Sequence, residues 1–184
     1  VNIAKLGAAR RLGSVMGNGY GSREESFKMY IHTETSAYTA TLFDPYVNLL
    51  RAANQAFAAV VGGAQSITVL PFDCASNQTS AFSERIARNI QLILKEETLL
   101  DKVVDPAGGS YYIEALTDEL AEKAWGIFLE IEKQGGVLEA LQSGWLQAKV
   151  QGTCGKKRDL FQHGTVRLRG TNVYANREDE SAGH

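Results

Sequence analysis

Apolar residues recur at helical spacing in residues 2–15, 44–61 and 83–95 and in a fourth segment that begins at Thr117 and ends at a Gly-Gly pair. This periodicity predicts four amphipathic helices. Asp-Pro at residues 44–45 and Thr117 are typical signals for a helix start, and Gly-Gly pairs are typical of helix ends. The positions predicted to face the core are Leu50, Ala53, Phe57 and Val61 in the second helix, Ile86, Ile90 and Ile93 in the third, and Leu120, Ala124, Phe128 and Ile131 in the fourth.

Short β-branched or apolar runs lie between and after these helices. Residues 27–32 and 65–70 are predicted strands, residues 103–104 form a short apolar segment, and Val166 with Leu168 is a candidate last strand. Short strands that alternate with long amphipathic helices are typical of parallel sheets. The pattern therefore predicts an α/β fold with parallel strands.

The length of the chain limits which α/β fold it can form. With 184 residues it has room for one domain with a hydrophobic core, whereas a complete (β/α)₈ barrel needs about 250 residues. The first residue is Val1 rather than Met, and the first predicted helix begins at once. We therefore expect the chain to be a fragment or a processed product. Towards the other end, Gly152 and Gly155 interrupt what would otherwise be a further long helix, and residues 176–184 form a polar tail.

The charge balance excludes several classes of partner. The chain has 19 Lys and Arg residues against 21 Asp and Glu residues, and the two signs are interspersed. No one-signed field suited to a nucleic acid or a membrane surface is expected, and no apolar run approaches the roughly 18 residues of a membrane span. A cytoplasmic location is the default expectation. Cys74 and Cys154 are far apart, with no CxxC spacing and no histidine cluster, so we expect free thiols and no metal site.

The most informative motif is DPAGGSYYIE at residues 105–114, which follows ARNIQ at residues 87–91 by about one helix. In order and spacing, these motifs and several others resemble the second half of the substrate barrel of cobalamin-dependent acyl-CoA mutases, above all the methylmalonyl-CoA mutase family. The resemblance covers residues 2–146. Its other matching pieces are AKL and AAR within residues 4–10, His32 with Thr35 and Ser36, DPYVN at residues 44–48, GGAQS at residues 62–66 and residues 130–136.

The resemblance implies a fold and an activity. Residues 1–146 would form the C-terminal half of a TIM-type (β/α)₈ barrel domain, residues 147–175 a barrel-terminal helix or strand extension, and residues 176–184 the polar tail. The implied reaction is the radical interconversion of methylmalonyl-CoA and succinyl-CoA with adenosylcobalamin. In such chemistry the protein mainly binds and orients its ligands and excludes water, so no catalytic side chain is assigned.

The resemblance also implies binding roles for individual residues. Gln65 occupies the position of a glutamine near the cobalamin and adenosyl groups. Asp105, followed by Pro106, occupies an acidic position near the adenosyl ribose, and a carboxylate can accept hydrogen bonds from ribose hydroxyls. Tyr30, His32 and Thr33 match the segment that approaches the acyl-CoA. Judged without the resemblance, Gln65 reads as a strand-end residue, Asp105 as a loop cap and His32 as a structural histidine.

The chain departs from the pattern of catalytic mutase subunits at several positions. Tyr30 and Gly7 stand where arginines would be usual, and tyrosine lacks the fork with which arginine binds phosphate. Residues 67–73, ITVLPFD, lack the polar His-Thr-Asn pattern. The chain also lacks the Asp-x-His-x-x-Gly motif whose histidine binds cobalt. Adenosylcobalamin would therefore be bound only together with a cobalamin domain that this chain does not contain.

These departures make the chain most like the small (beta) subunit of a heterodimeric mutase, and they leave three hypotheses open. The first is a part of methylmalonyl-CoA mutase itself, and the second is a non-catalytic subunit that stabilises a catalytic one. The third is a mutase of the isobutyryl-CoA type. An open half barrel would expose unpaired strand edges. We therefore expect an oligomer, with a larger mutase subunit or an N-terminal barrel half as the partner and an acyl-CoA as the substrate.

Overall fold

The computed structural model of the chain describes residues 1–21, 28–76 and 78–175. Helices make up most of this part, and the predicted polar tail lies outside it. Short 3₁₀ turns at Ala37–Thr39, Cys74–Ser76 and Leu100–Lys102 connect the larger elements. In chain order those elements are α1 (Asn2–Gly19), β1 (His32–Glu34), α2 (Val47–Val61), β2 (Ser66–Thr68), α3 (Ala81–Leu92), a π-helical turn (Ile93–Glu97), α4 (Tyr111–Lys133), α5 (Val137–Gln142) and α6 (Trp145–Gln162).

The sheet within the described residues consists of β1 and β2, which pair in parallel. His32 lies opposite Ser66, Thr33 opposite Ile67 and Glu34 opposite Thr68. Helix α2 forms the crossover connection that two neighbouring parallel strands require. The prediction of an α/β fold with parallel strands is therefore confirmed for this β-α-β unit. The barrel that the resemblance implies has further strands, and it remains a prediction.

Helix α2 turns a face of small residues towards the core. Ala52 and Ala56 are buried together with Val69 after β2 and with Ala87 and Ile90 of α3. Alanines allow the helix to lie close to the sheet, and they leave few large side chains inside. The predicted inner face is correct at Val61 and wrong at Leu50 and Phe57, which are 61% and 46% exposed. The buried face of α2 is the neighbouring one, which consists of Asn48, Ala52, Ala56 and Val61.

The N-terminus of α4 lies about two turns before the predicted position, because the N-cap is Ser110. Ser110 has extended backbone and precedes the first helical residue, Tyr111, whereas Thr117 lies inside the helix. The Thr117 hydroxyl donates to the carbonyl of Ile113 at 2.7 Å, as a mid-helix threonine does. The prediction of Thr117 as the N-cap is therefore wrong. Helix α4 packs against α1, and an exposed ion pair between Arg11 and Asp118 joins the two helices.

Other local predictions also need correction. Residues 28–31 are not a strand, because β1 begins at His32; Phe27, where the strand was predicted to begin, lies outside the described residues. The segment that contains Val166 and Leu168 has no strand, only an isolated bridge between Arg169 and Val173. Gly152 and Gly155 do not interrupt α6, since glycine costs a helix only about 1 kcal/mol relative to alanine. Among the described residues, no helix combines the length and the apolar character needed to cross a bilayer.

Candidate functional site

Gln65 is fixed by both its backbone and its side chain at the beginning of β2. Its amide donates to the carbonyl of Ile31 at 3.0 Å, and its Oε1 accepts from the amide of Ile31 at 2.8 Å. These two bonds hold the side chain against the residue that precedes β1. The Nε2 donors of Gln65 have no partner among the described residues, and the side chain is exposed. The amide can therefore still donate to a ligand.

Asp105 begins a tight turn. Its backbone is left-handed, with φ of 50°, which aspartate tolerates better than most residues do. Its carbonyl accepts from the amide of Gly108 at 3.0 Å. A Cβ built on Gly108 would lie 2.8 Å from Oδ2 of Asp105, so glycine leaves room for the carboxylate. Within the described part of the chain the carboxylate has no hydrogen-bond or ion-pair partner.

Gln65, Asp105 and Pro106 line one groove, although they come from segments about forty residues apart. This β2-edge groove has a volume of about 560 Å³ and lies between the edge of β2 that β1 does not occupy and the segment 100–106. Lys95 contributes a positive charge. The other lining residues are Val60, Gly63, Ala64, Ser66, Ile67, Gln91, Leu94, Leu100, Asp101, Val103 and Val104.

A second groove lies between α1 and α4 and shares part of the same wall. This α1–α4 groove has a volume of about 730 Å³. Gly63, Gln65, Val104 and Asp105 line both grooves, so two of the three predicted cofactor residues, Gln65 and Asp105, face both spaces. Arg10, for which the resemblance implied no role, lies in this second groove next to Gly63.

His32 and Thr33 lie on β1 and are bonded to β2. Nδ1 of His32 is 2.6 Å from the Ser66 hydroxyl and Nε2 is 3.2 Å from the Thr68 hydroxyl, so both ring nitrogens have partners whichever tautomer is present. The Thr33 hydroxyl donates to the carbonyl of Ser66 at 3.4 Å. These bonds fix the His32 ring across the sheet. They match the structural interpretation of His32, and its proposed contact with substrate remains a prediction.

His32 and Thr33 line a third groove, the β1-edge groove, with a volume of about 730 Å³. Lys5 of α1 and Lys157 of α6 lie on its walls, and the ammonium of Lys157 is 5.5 Å from the centre of the Tyr38 ring. Tyr30, the third predicted substrate residue, is 69% exposed and is not part of this lining. The structure thus groups the predicted cofactor residues in one place and two of the predicted substrate residues in another.

A buried polar network lies beside α2, and sequence reasoning missed it. Asn48 is 4% exposed, and its side chain bonds both backbone groups of Thr41 and the carbonyl of Phe72. Arg51, one turn later, donates to Oδ1 of Asn48 at 2.6 Å and also to the carbonyl of Arg169. Burial lowers the pKa of Arg51, and the Asp44 carboxylate partly opposes this effect. The sequence signals were Asn48 at the end of the DPYVN motif and the spacing of Asn48 and Arg51 on one helix face.

The titratable and sulfur groups of the described residues bear on two kinds of site, a metal site and a reactive thiol. In the described ranges, no three His, Cys, Asp or Glu side chains are placed to hold a metal ion. Cys74 is half-buried and Cys154 is exposed, and both are free thiols. Burial raises the pKa of the Cys74 thiol, as does the neighbouring Asp73 carboxylate, against an opposing backbone hydrogen bond. A raised pKa disfavours the reactive thiolate.

Comparison with known proteins identifies the family. A family model described as methylmalonyl-CoA mutase matches residues 1–183. A methylmalonyl-CoA mutase small subunit of Porphyromonas gingivalis is 43% identical over 183 residues, which are 96% of this chain and 29% of that protein. A small subunit of the same name from Streptomyces virginiae is 45% identical over 158 residues, 86% of this chain and 26% of that protein.

A third relative, the methylmalonyl-CoA mutase of Escherichia coli K12, is 38% identical over 183 residues, which are 98% of this chain and 26% of that protein. The chain thus spans less than a third of the length of these three relatives. The family match includes every motif on which the resemblance was based, and it extends over nearly the whole sequence. The chain therefore belongs to the methylmalonyl-CoA mutase family.

Proposed function

We propose that this chain works as part of a methylmalonyl-CoA mutase, in which it contributes to the binding of adenosylcobalamin and acyl-CoA. The reaction would be the interconversion of methylmalonyl-CoA and succinyl-CoA. The observation that carries the proposal is the convergence of Gln65, Asp105 and Pro106 on the β2-edge groove. Family membership supports the reaction type, and the relatives' names support the substrate.

The side chains in the groove fit the cofactor that the family implies. The chemistry that adenosylcobalamin supplies when bound is the radical abstraction of a substrate hydrogen. Gln65 has free amide donors, and Asp105 has a carboxylate that can accept from two hydroxyls of a ribose. Gly108 leaves that carboxylate uncovered. These residues would bind and orient the nucleoside, and a closed assembly would exclude water.

The β1-edge groove is the proposed location of the acyl-CoA. His32 has a fixed ring and Thr33 a hydroxyl there. Lys5 and Lys157 supply positive charge for an anionic ligand, and Glu34 contributes one negative charge to the same lining. Tyr30 precedes the strand and would approach the ligand with its single hydroxyl. Because the polar atoms of His32 are already bonded to β2, we propose that it orients the strand end towards the substrate rather than exchanging protons.

The shape of the described part supports a barrel fragment that needs a partner. Each strand uses only one edge for pairing within the described residues, and open edges are normally covered in native proteins. We propose that residues 1–146 are the C-terminal half of the barrel and that residues 147–175 extend it. An N-terminal barrel half or a larger, cobalamin-binding subunit would complete the assembly, in the cytoplasm. The small-subunit names of two relatives support the larger partner.

A second candidate function is that of a non-catalytic subunit that stabilises a catalytic one. Gly7 favours it, because a Cβ at this position would lie 3.2 Å from Cγ2 of Thr117 on α4. Even the Cβ of the arginine that is usual in catalytic subunits would therefore require the Thr117 side chain to give way by a few tenths of an ångström. Tyr30, in place of the second usual arginine, removes another phosphate-binding fork.

Replacement of Gln65 separates the two candidates. In the intact mutase, Gln65→Ala should weaken adenosylcobalamin binding about 3-fold to 10-fold, the effect of one lost hydrogen bond. Gln151→Ala, an exposed amide on α6, is the matched control and should leave the dissociation constant unchanged. Wild-type affinity in Gln65→Ala, together with normal assembly, would reject the cofactor-binding role and favour the supporting subunit.

A further inference from the structure

Arg10 of α1 binds the end of α2 immediately before Gln65. Its Nη1 donates to the carbonyl of Gly62 at 2.9 Å, and its Nη2 donates to the carbonyl of Gly63. The side chain is half-buried. Because these carbonyls follow the last turn of α2, no amide of that helix can reach them. Arg10 therefore supplies donors from a part of the chain more than fifty residues away.

The two glycines allow this contact. Gly63 has a left-handed backbone, with φ of 75°, and a Cβ built on it would lie 3.1 Å from Nη1 of Arg10. A Cβ on Gly62 would lie 2.8 Å from Cδ1 of Leu6. Larger residues would push α1 and the guanidinium away from the turn, so glycine is required here for close approach. The turn and α1 are therefore matched in shape.

Charge and geometry favour arginine at this position. The C-terminal end of a helix carries partial negative charge, which a nearby cation stabilises. The planar guanidinium has a fork of donors that can reach two adjacent carbonyls at once, which a single ammonium group does less well. The amides of Gly62 and Gly63 bond back to Ala58 and Val60 of α2. Both the donors and the acceptors of the turn are therefore satisfied.

The same turn leads directly to the proposed cofactor residue. Gln65 follows Gly63 by two positions and is fixed on its other side by the two hydrogen bonds to Ile31. The turn is thus held by Arg10 before Gln65 and by Ile31 at Gln65 itself. The Arg11 side chain points instead to Asp118, in an exposed ion pair.

We propose that Arg10 is a positioning residue for Gln65, an inference that rests on the proposed role of Gln65 in cofactor binding. Arg10 would act through the turn whose carbonyls it bonds. Without it, the carbonyls of Gly62 and Gly63 lose their donors and the turn samples more conformations. Gln65 then presents its amide to the cofactor in the correct orientation for a smaller fraction of the time.

The test combines a binding measurement with a measurement on the cofactor-free protein. In the intact mutase, Arg10→Gln should weaken adenosylcobalamin binding about 3-fold to 10-fold, in the range expected for one hydrogen-bonded group. Hydrogen exchange of residues 62–66 in the cofactor-free protein should become faster. Arg10→Lys, which keeps the charge and the stem, should show a smaller change in both measurements. Arg11→Gln is the matched control and should change neither.

A double variant identifies the mechanism. If Arg10 acts through Gln65, adding Arg10→Gln to Gln65→Ala should weaken binding further by less than about 2-fold, because coupled residues are not additive. Two results would overturn the positioning role and leave the proposed function intact. In the first, the two effects on the dissociation constant multiply fully in the double variant. In the second, Arg10→Gln binds with wild-type affinity while Gln65→Ala binds weakly. Wild-type affinity in Gln65→Ala would overturn the role of Gln65 and that of Arg10 with it.

Discussion

Replacement of Asn48 by alanine should destabilise the protein strongly, because a single buried side chain joins three segments. Its Nδ2 donates to the carbonyls of Thr41 and Phe72, each at 2.8 Å. Its Oδ1 accepts from the amide of Thr41 at 3.0 Å and from Nη1 of Arg51 at 2.6 Å. The variant removes these four bonds, and with them a longer 3.4 Å contact from the Thr41 hydroxyl to Oδ1, and it leaves the buried backbone groups of Thr41 and Phe72 without these partners.

The magnitude follows from these four bonds. At a net value of about 1 kcal/mol each, their loss costs about 4 kcal/mol, and the better helix propensity of alanine returns about 0.6 kcal/mol. We expect the free energy of unfolding to fall by about 3 kcal/mol. For a domain of this size that loss corresponds to a decrease in Tm of about 6–12 °C.

Asn54→Ala is the matched control on the same helix. Asn54 is exposed, and its Nδ2 bonds only the carbonyl of Leu50 within α2. Thermal unfolding of the intact protein should therefore show a change within about 0.5 kcal/mol for this variant. If Asn48→Ala and Asn54→Ala differed by less than about 1 kcal/mol, the inference that the buried network ties these segments together would be refuted.

Two further predictions concern α1 and the cysteines. A Cβ at Gly126 on α4 meets nothing within 4 Å, so Gly126→Ala should raise the free energy of unfolding by about 0.5–1 kcal/mol. Gly7→Ala should forfeit this gain, because its Cβ would lie close to Thr117. Equal stabilisation by both variants in chemical denaturation would contradict the close approach of α1 and α4. At pH 8, alkylation of Cys74 should be slower than that of the exposed Cys154, since a raised pKa leaves less thiolate, and the Cys74 rate should still increase from pH 8 to pH 10. Peptide mass spectrometry measures both rates, and faster labelling of Cys74 would argue against its burial.

Element types could be predicted where local signals were strong. The β-branched run before Pro71 is centred on β2, and the Gly-Gly pairs end α2 and α4 within two residues of the expected positions. The start of α4 could not be predicted, because Ser110 makes no side-chain capping bond and Thr117 followed by acidic residues imitates a cap. The buried face of α2 was also ambiguous, since alanine and large apolar residues alternate around the helix and tertiary packing decides between them.

The site shows the same division between local and long-range information. The roles of Gln65 and Asp105 came from the family resemblance, and nothing local in the sequence indicates that they line one groove. Arg10 belongs to the AAR piece of the resemblance, but its role could not be predicted because its partners are backbone carbonyls, which leave no signal in side-chain patterns. His32 was identified correctly as a strand residue, but its partners Ser66 and Thr68 depend on the register of the sheet.

The most direct test of the account is to determine the mass of every polypeptide in the native preparation, by light scattering and mass spectrometry, together with its adenosylcobalamin-dependent mutase activity. We expect residues 1–184 to occur in an assembly that contains the rest of a mutase barrel and a chain segment with Asp-x-His-x-x-Gly. We also expect this assembly to interconvert methylmalonyl-CoA and succinyl-CoA. A lone 20.0 kDa species that is folded and monomeric would contradict the proposed assembly, and a complete assembly without cofactor-dependent activity would contradict the proposed reaction.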